Sequence, residues 1–120
     1  MRNISFALTT AQFLDGTKTV TRRLGWKDAK AGDVLMAVEK SQGLKKGEKV
    51  KKLGTIRLMS VRREPLAAID RADVAREGFP RWSPENFIYF FCKSHRGCFS
   101  DTIVTRLEFE RIPHPQRQAP

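Results

Sequence analysis

The segment "LDGTKTVTRR" (14–23) sets Lys18 and Thr21 three residues apart, after a glycine and ahead of the paired Arg22 and Arg23. A lysine partly desolvated among other cations has its ammonium form disfavoured and can act as a base toward a nearby hydroxyl. Thr21 supplies that hydroxyl. A carboxylate is still required, to orient the amine or to carry a proton to a leaving group. Glu77 is the foremost candidate, with Glu64 and Glu85 behind it. The same cations could instead grip a phosphate, or the stretch could be a polar turn.

Other routes to chemistry are poorer. Cys92, His95 and Cys98 form C-x-x-H-x-x-C, but zinc sites of this size draw a fourth ligand or a second C-x-x-C pair, and His114 near the C-terminus is a poor fourth. We expect a buried Cys92, an incidental Cys98, and no metal or cofactor. No Ser-His-Asp arrangement, phosphate-binding glycine loop or dinucleotide fingerprint is present.

The whole chain favours an anionic partner. It has 120 residues, 23 Lys and Arg against 13 Asp and Glu, and a net charge of +10 spread from Arg2 to Arg117. Each cation that neutralises a phosphate releases a counterion, so nucleic acid is the natural ligand for such a surface. No basic face accompanies a clean apolar one, the longest apolar run is "FIYFFC", and the start lacks a secretory h-region. A cytoplasmic location without membrane contact is expected, and the two cysteines should remain thiols there.

The elements that must position these residues follow from pattern. "ISFAL" (4–8) reads as a strand, followed by a helix with Thr9 as N-cap, Gln12 completing a capping box, Leu8 stapled to Phe13, and Gly16 at its end. Residues 32–40 and 54–64 alternate as strands. Between them "KSQGLKKGEKVKK" (40–52), with six lysines and two glycines, predicts a mobile loop or hairpin tip. Its Lys40, Lys45, Lys46, Lys49, Lys51 and Lys52 are either a solvated face or a nucleic-acid contact.

"IDRADVAREG" predicts a short helix with Asp70 as N-cap, Ile69 stapled to Val74, and Gly78 as terminator. Glu77 then falls at the negative end of that helix, where a cation is favoured. Either something else holds it there, or it is an exposed Glu balanced by Arg76. Residues 83–97 predict the clearest helix, with Ser83 as cap, Pro84 at its first position and Phe87, Phe90 and Phe91 on a core-facing stripe. Residues 101–112 predict a last strand with Leu107 and Phe109 inward and Arg106, Glu108 and Glu110 outward. The expected organisation is one domain over 1–112 and a flexible tail over 113–120.

With these elements in place, "GTKTVTRR" resembles the G-x-K-x-x-T-x-R signature of ASCH domains in the PUA-like superfamily, and "AGDVLMAV" lies at a matching distance. The resemblance runs from about Ile4 to Ile112 and looks like the small bacterial and phage type. It implies an α+β fold, a PUA-like small mixed β-barrel with flanking short helices, and a cleft beside the motif associated with RNA or nucleosides. Some ASCH proteins are amidohydrolases that deacylate N4-acetylcytidine, and one is a ribonuclease. Carried over, the amidohydrolase lysine, threonine and glutamate fall on Lys18, Thr21 and Glu77. Three readings are open. The cleft of Lys18, Thr21, Arg22 and Arg23 binds RNA or a nucleoside with the loop lysines on the backbone; or the same cleft is catalytic; or the chain is a phage-derived protein that blocks a host component.

Overall fold

The computed structural model describes residues 1–113; the tail expected at 113–120 lies outside the described residues apart from Pro113. Among the described residues five strands and three α-helices run in the order β1 (Asn3–Ser5), α1 (Thr10–Leu14), β2 (Val20–Arg23), β3 (Val34–Val38), β4 (Lys52–Pro65), α2 (Arg71–Arg76), α3 (Pro84–Lys93) and β5 (Ile103–Ile112), with a 3-10 turn at Leu66–Ala68. They form one mixed sheet in the order β1-β3-β4-β5-β2. β1 runs parallel to β3 and all other pairs are antiparallel. The α+β class agrees with the sequence. The closed barrel is not seen: among the described residues no pairing joins the end strands β1 and β2.

β4 and β5 are the spine of the sheet, paired from Thr55–Ile112 to Pro65–Ile103 with a bulge between Leu58 and Ser60. Up to the bulge the strand alternates regularly, with Ile56 and Leu58 buried and Arg57 and Met59 exposed. One apolar cluster joins the sheet to α1 through Ile4, Phe6, Phe13, Leu35, Ile56, Leu58, Leu107 and Phe109. A second joins α2, α3 and the start of β5 through Leu66, Ile69, Val74, Phe79, Phe87, Phe91 and Val104.

The helix caps divide. Asp70 accepts from the Asp73 amide, and Ser83 accepts from the Asn86 amide ahead of Pro84, both as predicted. Thr9 occupies the N-cap of α1 but makes no cap bond; its neighbour Thr10 instead donates back to the Phe6 carbonyl at 2.7 Å. Leu8 does not staple α1, being 61% exposed; Phe6 packs on Phe13 in its place, with ring centroids 4.7 Å apart.

Two expectations fail more instructively. The basic stretch after Gly16 is not a turn throughout, because its second half, "VTRR", is the edge strand β2. Arg106 does not face outward, being 6% exposed. Among the described residues no helix is long and apolar enough to cross a membrane.

Candidate functional site

Residues 17–19 are fastened before β2 begins. The Lys18 amide donates to Gln12 of α1, the Thr19 amide to Arg76 of α2, and Thr19's carbonyl accepts from Phe109 of β5, at 3.0, 2.8 and 3.0 Å. Gly78 makes this docking possible. Its φ of +105° suits glycine alone, and a Cβ there would lie 2.7 Å from Gln12 Cβ. The first residue of the motif's charged group is therefore aimed inward by three neighbouring elements.

Lys18 is buried and donates from Nζ to the Glu77 carboxylate at 2.7 Å and to the Glu77 main-chain carbonyl at 2.9 Å. Glu77 caps the C-terminus of α2, so the ammonium satisfies a carbonyl that the helix leaves without a partner and opposes the negative end of its dipole. This explains the misplaced glutamate. It is not exposed and not balanced by Arg76, which pairs with Asp73 at 3.1 Å; it is 2% exposed and held by Lys18 and Arg22.

Arg22 is the hub. Its Nη1 donates to Glu77 at 3.1 Å, and its Nη2 to Glu64 at 2.9 Å and to Asp73. Glu64, second choice for the site in sequence, is thus a structural partner of Arg22, and it also accepts from Arg62 Nε at 2.6 Å. Arg106 grips Asp73 with two parallel bonds at 2.7 and 2.9 Å. The registers show why so many carboxylates are required. Arg22 stands opposite Arg106, and Arg106 opposite Arg62, so three adjacent strands place arginines in one row. Directly opposed like charges destabilise a sheet. Asp73 and Glu64 bridge the row and remove the conflict.

The electrostatics follow this geometry. Burial pushes the Lys18 ammonium down from the ordinary lysine range, and Glu77 draws it partly back. Burial also disfavours the Arg22 cation, but Glu77 and Asp73 outweigh it and hold the guanidinium above its usual value. For Asp73 burial alone would raise the carboxyl; hydrogen bonds from Arg106 and Arg22 reverse this and hold it well below the usual carboxylate range. Arg23, by contrast, is brought down to about 10 by burial, with Glu77 its main opposing charge, and remains charged at neutral pH.

Thr21 is buried, and its hydroxyl accepts from Arg23 Nε at 3.0 Å. Lys18 and Thr21 do not hydrogen-bond to each other among the described residues, each having a separate partner. Both nevertheless line the same cavity, of about 400 Å³, with Arg22, Arg23 and Glu77. Phe6, Thr9, Phe79, Phe87, Phe90, Phe91 and His95 line it too, and Gln42 of the lysine-rich loop also reaches it. The cavity therefore touches both apolar clusters, through Phe6 of the first and Phe79, Phe87 and Phe91 of the second.

The remaining candidates sort clearly. Lys45, Lys46, Lys49, Lys51 and Lys52 are exposed and Lys40 is half-buried; Lys51 reaches Glu39 at 3.5 Å. Glu85 lies in the first turn of α3 and is exposed, outside the cavity lining. Cys98 is buried and Cys92 only half-buried, the reverse of the expectation. His95 Nδ1 lies 2.7 Å from the Phe91 carbonyl, and the ring stacks on Phe91 at 4.1 Å. Sequence reasoning missed Asp73 and Arg106. The only signal was Asp73's place three residues after the Asp70 cap, which reads equally well as ordinary first-turn acidity.

No protein-family model matches the chain, and no curated protein matches it at significance. Solved structures do match. A protein of Enterococcus faecalis V583, described under the family model DUF984, superposes with a TM-score of 0.67 at 17% identity, covering 93% of this chain and 76% of that one. An ASCH domain from Lactobacillus crispatus JV V101 superposes with a TM-score of 0.62 at 16% identity, covering 92% and 78%. The fold is that of an ASCH domain, as the G-x-K-x-x-T-x-R resemblance implied.

Proposed function

We propose that the cavity beside the G-x-K-x-x-T-x-R segment binds a nucleobase, presented by RNA or as a modified nucleoside, with the lysines of 40–52 attracting the phosphates of a strand. One observation carries this reading: a cavity of about 400 Å³ whose lining brings together the cations Arg23 and Lys18 and the rings of Phe79, Phe90 and His95. Base-on-aromatic stacking contributes about 1–3 kcal/mol per base and tolerates any base. A cation in the same cavity favours the polar edge of the base or an attached phosphate. Gln42 links that cavity to the basic loop, so one strand can place a base inside and its backbone along the lysines.

Binding is favoured over hydrolysis by the partners already present. Lys18 directs its protons to Glu77, and the Thr21 hydroxyl accepts from Arg23. A base takes a proton from its nucleophile within hydrogen-bond reach, and here Lys18 and Thr21 bond to separate partners and not to each other. Nothing in the geometry favours a role in blocking another protein.

The test is titration of the purified protein with N4-acetylcytidine, cytidine and a short mixed-sequence single-stranded RNA, alongside Arg23→Ala and Phe90→Ala. Saturable binding that both substitutions weaken supports the proposal. Absence of saturation by every one of these probes at about 1 mM overturns it. Release of acetate from N4-acetylcytidine, lost in Thr21→Ala with the fold intact, replaces it with the hydrolase reading.

A further inference from the structure

α3 ends at Lys93, and the chain turns through Ser94 to Gly97 before Cys98 enters the second apolar cluster. Gly97, at φ +72°, allows the reversal. The turn brings two sulfurs from six residues apart to 3.0 Å, both as free thiols. The intervening residues are part of the cavity: Ser94 and His95 line it, and His95 stacks on the buried Phe91.

We propose that Cys92 and Cys98 form a reversible intramolecular disulfide that ties the C-terminus of α3 to the entry of β5 and fixes the Ser94–His95 edge of the cavity. Closing the bond, at about 2.05 Å, needs the sulfurs to approach by about 1 Å, a movement the four-residue turn can absorb. Cys92 is the more accessible of the pair, so it reacts first. Its thiolate attacks one sulfur of a low-molecular-weight disulfide, forming a mixed disulfide and releasing one thiol. Cys98 then attacks the Cys92 sulfur, which forms the internal bond and expels the second thiol. The two cysteine protons pass to the two released thiolates, and the small disulfide is reduced as the protein pair is oxidised. Burial and the neighbouring Cys98 push the Cys92 thiol up to about 11, which slows the first step at neutral pH. Once it has occurred, the second thiol is already in place.

The full-length protein is equilibrated in graded mixtures of reduced and oxidised glutathione, then assayed for free thiols, intact mass and amide exchange. The expected result is loss of both thiols together in the monomer, with a mass lower by two hydrogens and no retained glutathione. Exchange at residues 94–97 slows by about tenfold or more, and dithiothreitol reverses all of it. Cys98→Ser should accumulate glutathione on Cys92; should that variant not fold, peptide mapping of the oxidised wild type locates the bridge directly. Persistence of both thiols across the series, a stable glutathione adduct on the wild type, or a bridge between chains each overturns the proposal. None of these readouts depends on what the cavity binds.

Discussion

Lys18 and Glu77, 59 residues apart in sequence, meet at 2.7 Å in the interior, with the side chains 4% and 2% exposed. Removing water from two charges is costly, and the pair is tolerable only because each has further bonds. Lys18 also donates to the Glu77 carbonyl, and Glu77 also accepts from Arg22. The consequences can be measured by substitution.

Glu77→Ala leaves two buried cations without their shared acceptor and is expected to cost about 3–5 kcal/mol. Urea denaturation of wild type and variant, compared at the same pH, measures it. Lys18→Met should cost less, since Glu77 keeps Arg22 and the methionine fills most of the lysine's volume. Equal losses in the two variants would show that the helix carbonyl, not the carboxylate, is the main partner of Lys18.

Arg22→Lys is not conservative here. Three carboxylates surround one planar guanidinium, Glu77 on Nη1 and both Glu64 and Asp73 on Nη2, and a single ammonium cannot span them. We expect a loss of about 2–4 kcal/mol, seen as a lower urea midpoint with an unchanged slope.

Asp73 makes stability depend on acid. Its folded-state pKa is depressed below the unfolded value, so its contribution is full above the unfolded carboxylate pKa near 3.9 and is lost as pH falls through the folded value. Urea midpoints should therefore decline below about pH 4. Asp73→Asn should begin less stable at neutral pH and decline less steeply. Parallel curves for the two proteins would place the acid sensitivity elsewhere.

Gly78→Ala combines a positive φ with a 2.7 Å approach to Gln12 Cβ. It should lower stability by about 1–3 kcal/mol and loosen the docking of residues 17–19, so the Lys18 and Thr19 amides exchange faster than those of β4. Unchanged protection there would mean that Gln12 yields without disturbing the segment.

In the RNA titration, replacing Lys45, Lys46 and Lys49 together by Ala should weaken binding and flatten its salt dependence, by about 0.7 in the log-log slope for each phosphate the variant no longer neutralises. Phe90→Ala should lower affinity at every salt concentration and leave the slope unchanged. A loop variant with wild-type slope would remove the loop from the interface.

The sequence made some of this architecture readable and concealed the rest for a physical reason. Asp70 and Ser83 announce their helices because a cap is a local bond between near neighbours. Glu77 was legible as an oddity, since a carboxylate at a helix C-terminus opposes the dipole, but its partners lie 55 and 59 residues away. β2 was hidden because "VTRR" looks solvated; only Glu64, Asp73 and Glu77, brought in by the fold, allow Arg22 to be buried. Arg106 was assigned outward by strict alternation for the same reason. Phe6 was passed over for Leu8 because the register of the first turn, which sequence spacing fixes poorly, decides which of them meets Phe13.

In the row of Arg22, Arg106 and Arg62, Asp73 ties β2 and β5 to α2, and Glu64 of β4 ties Arg22 of β2 to Arg62. Random mutagenesis scored by cellular output would flag these positions whatever the molecule recognises, because losing them depletes the protein itself. Selectivity has to be altered outside this network instead, at a cavity position such as Gln42, which is exposed and takes no part in it.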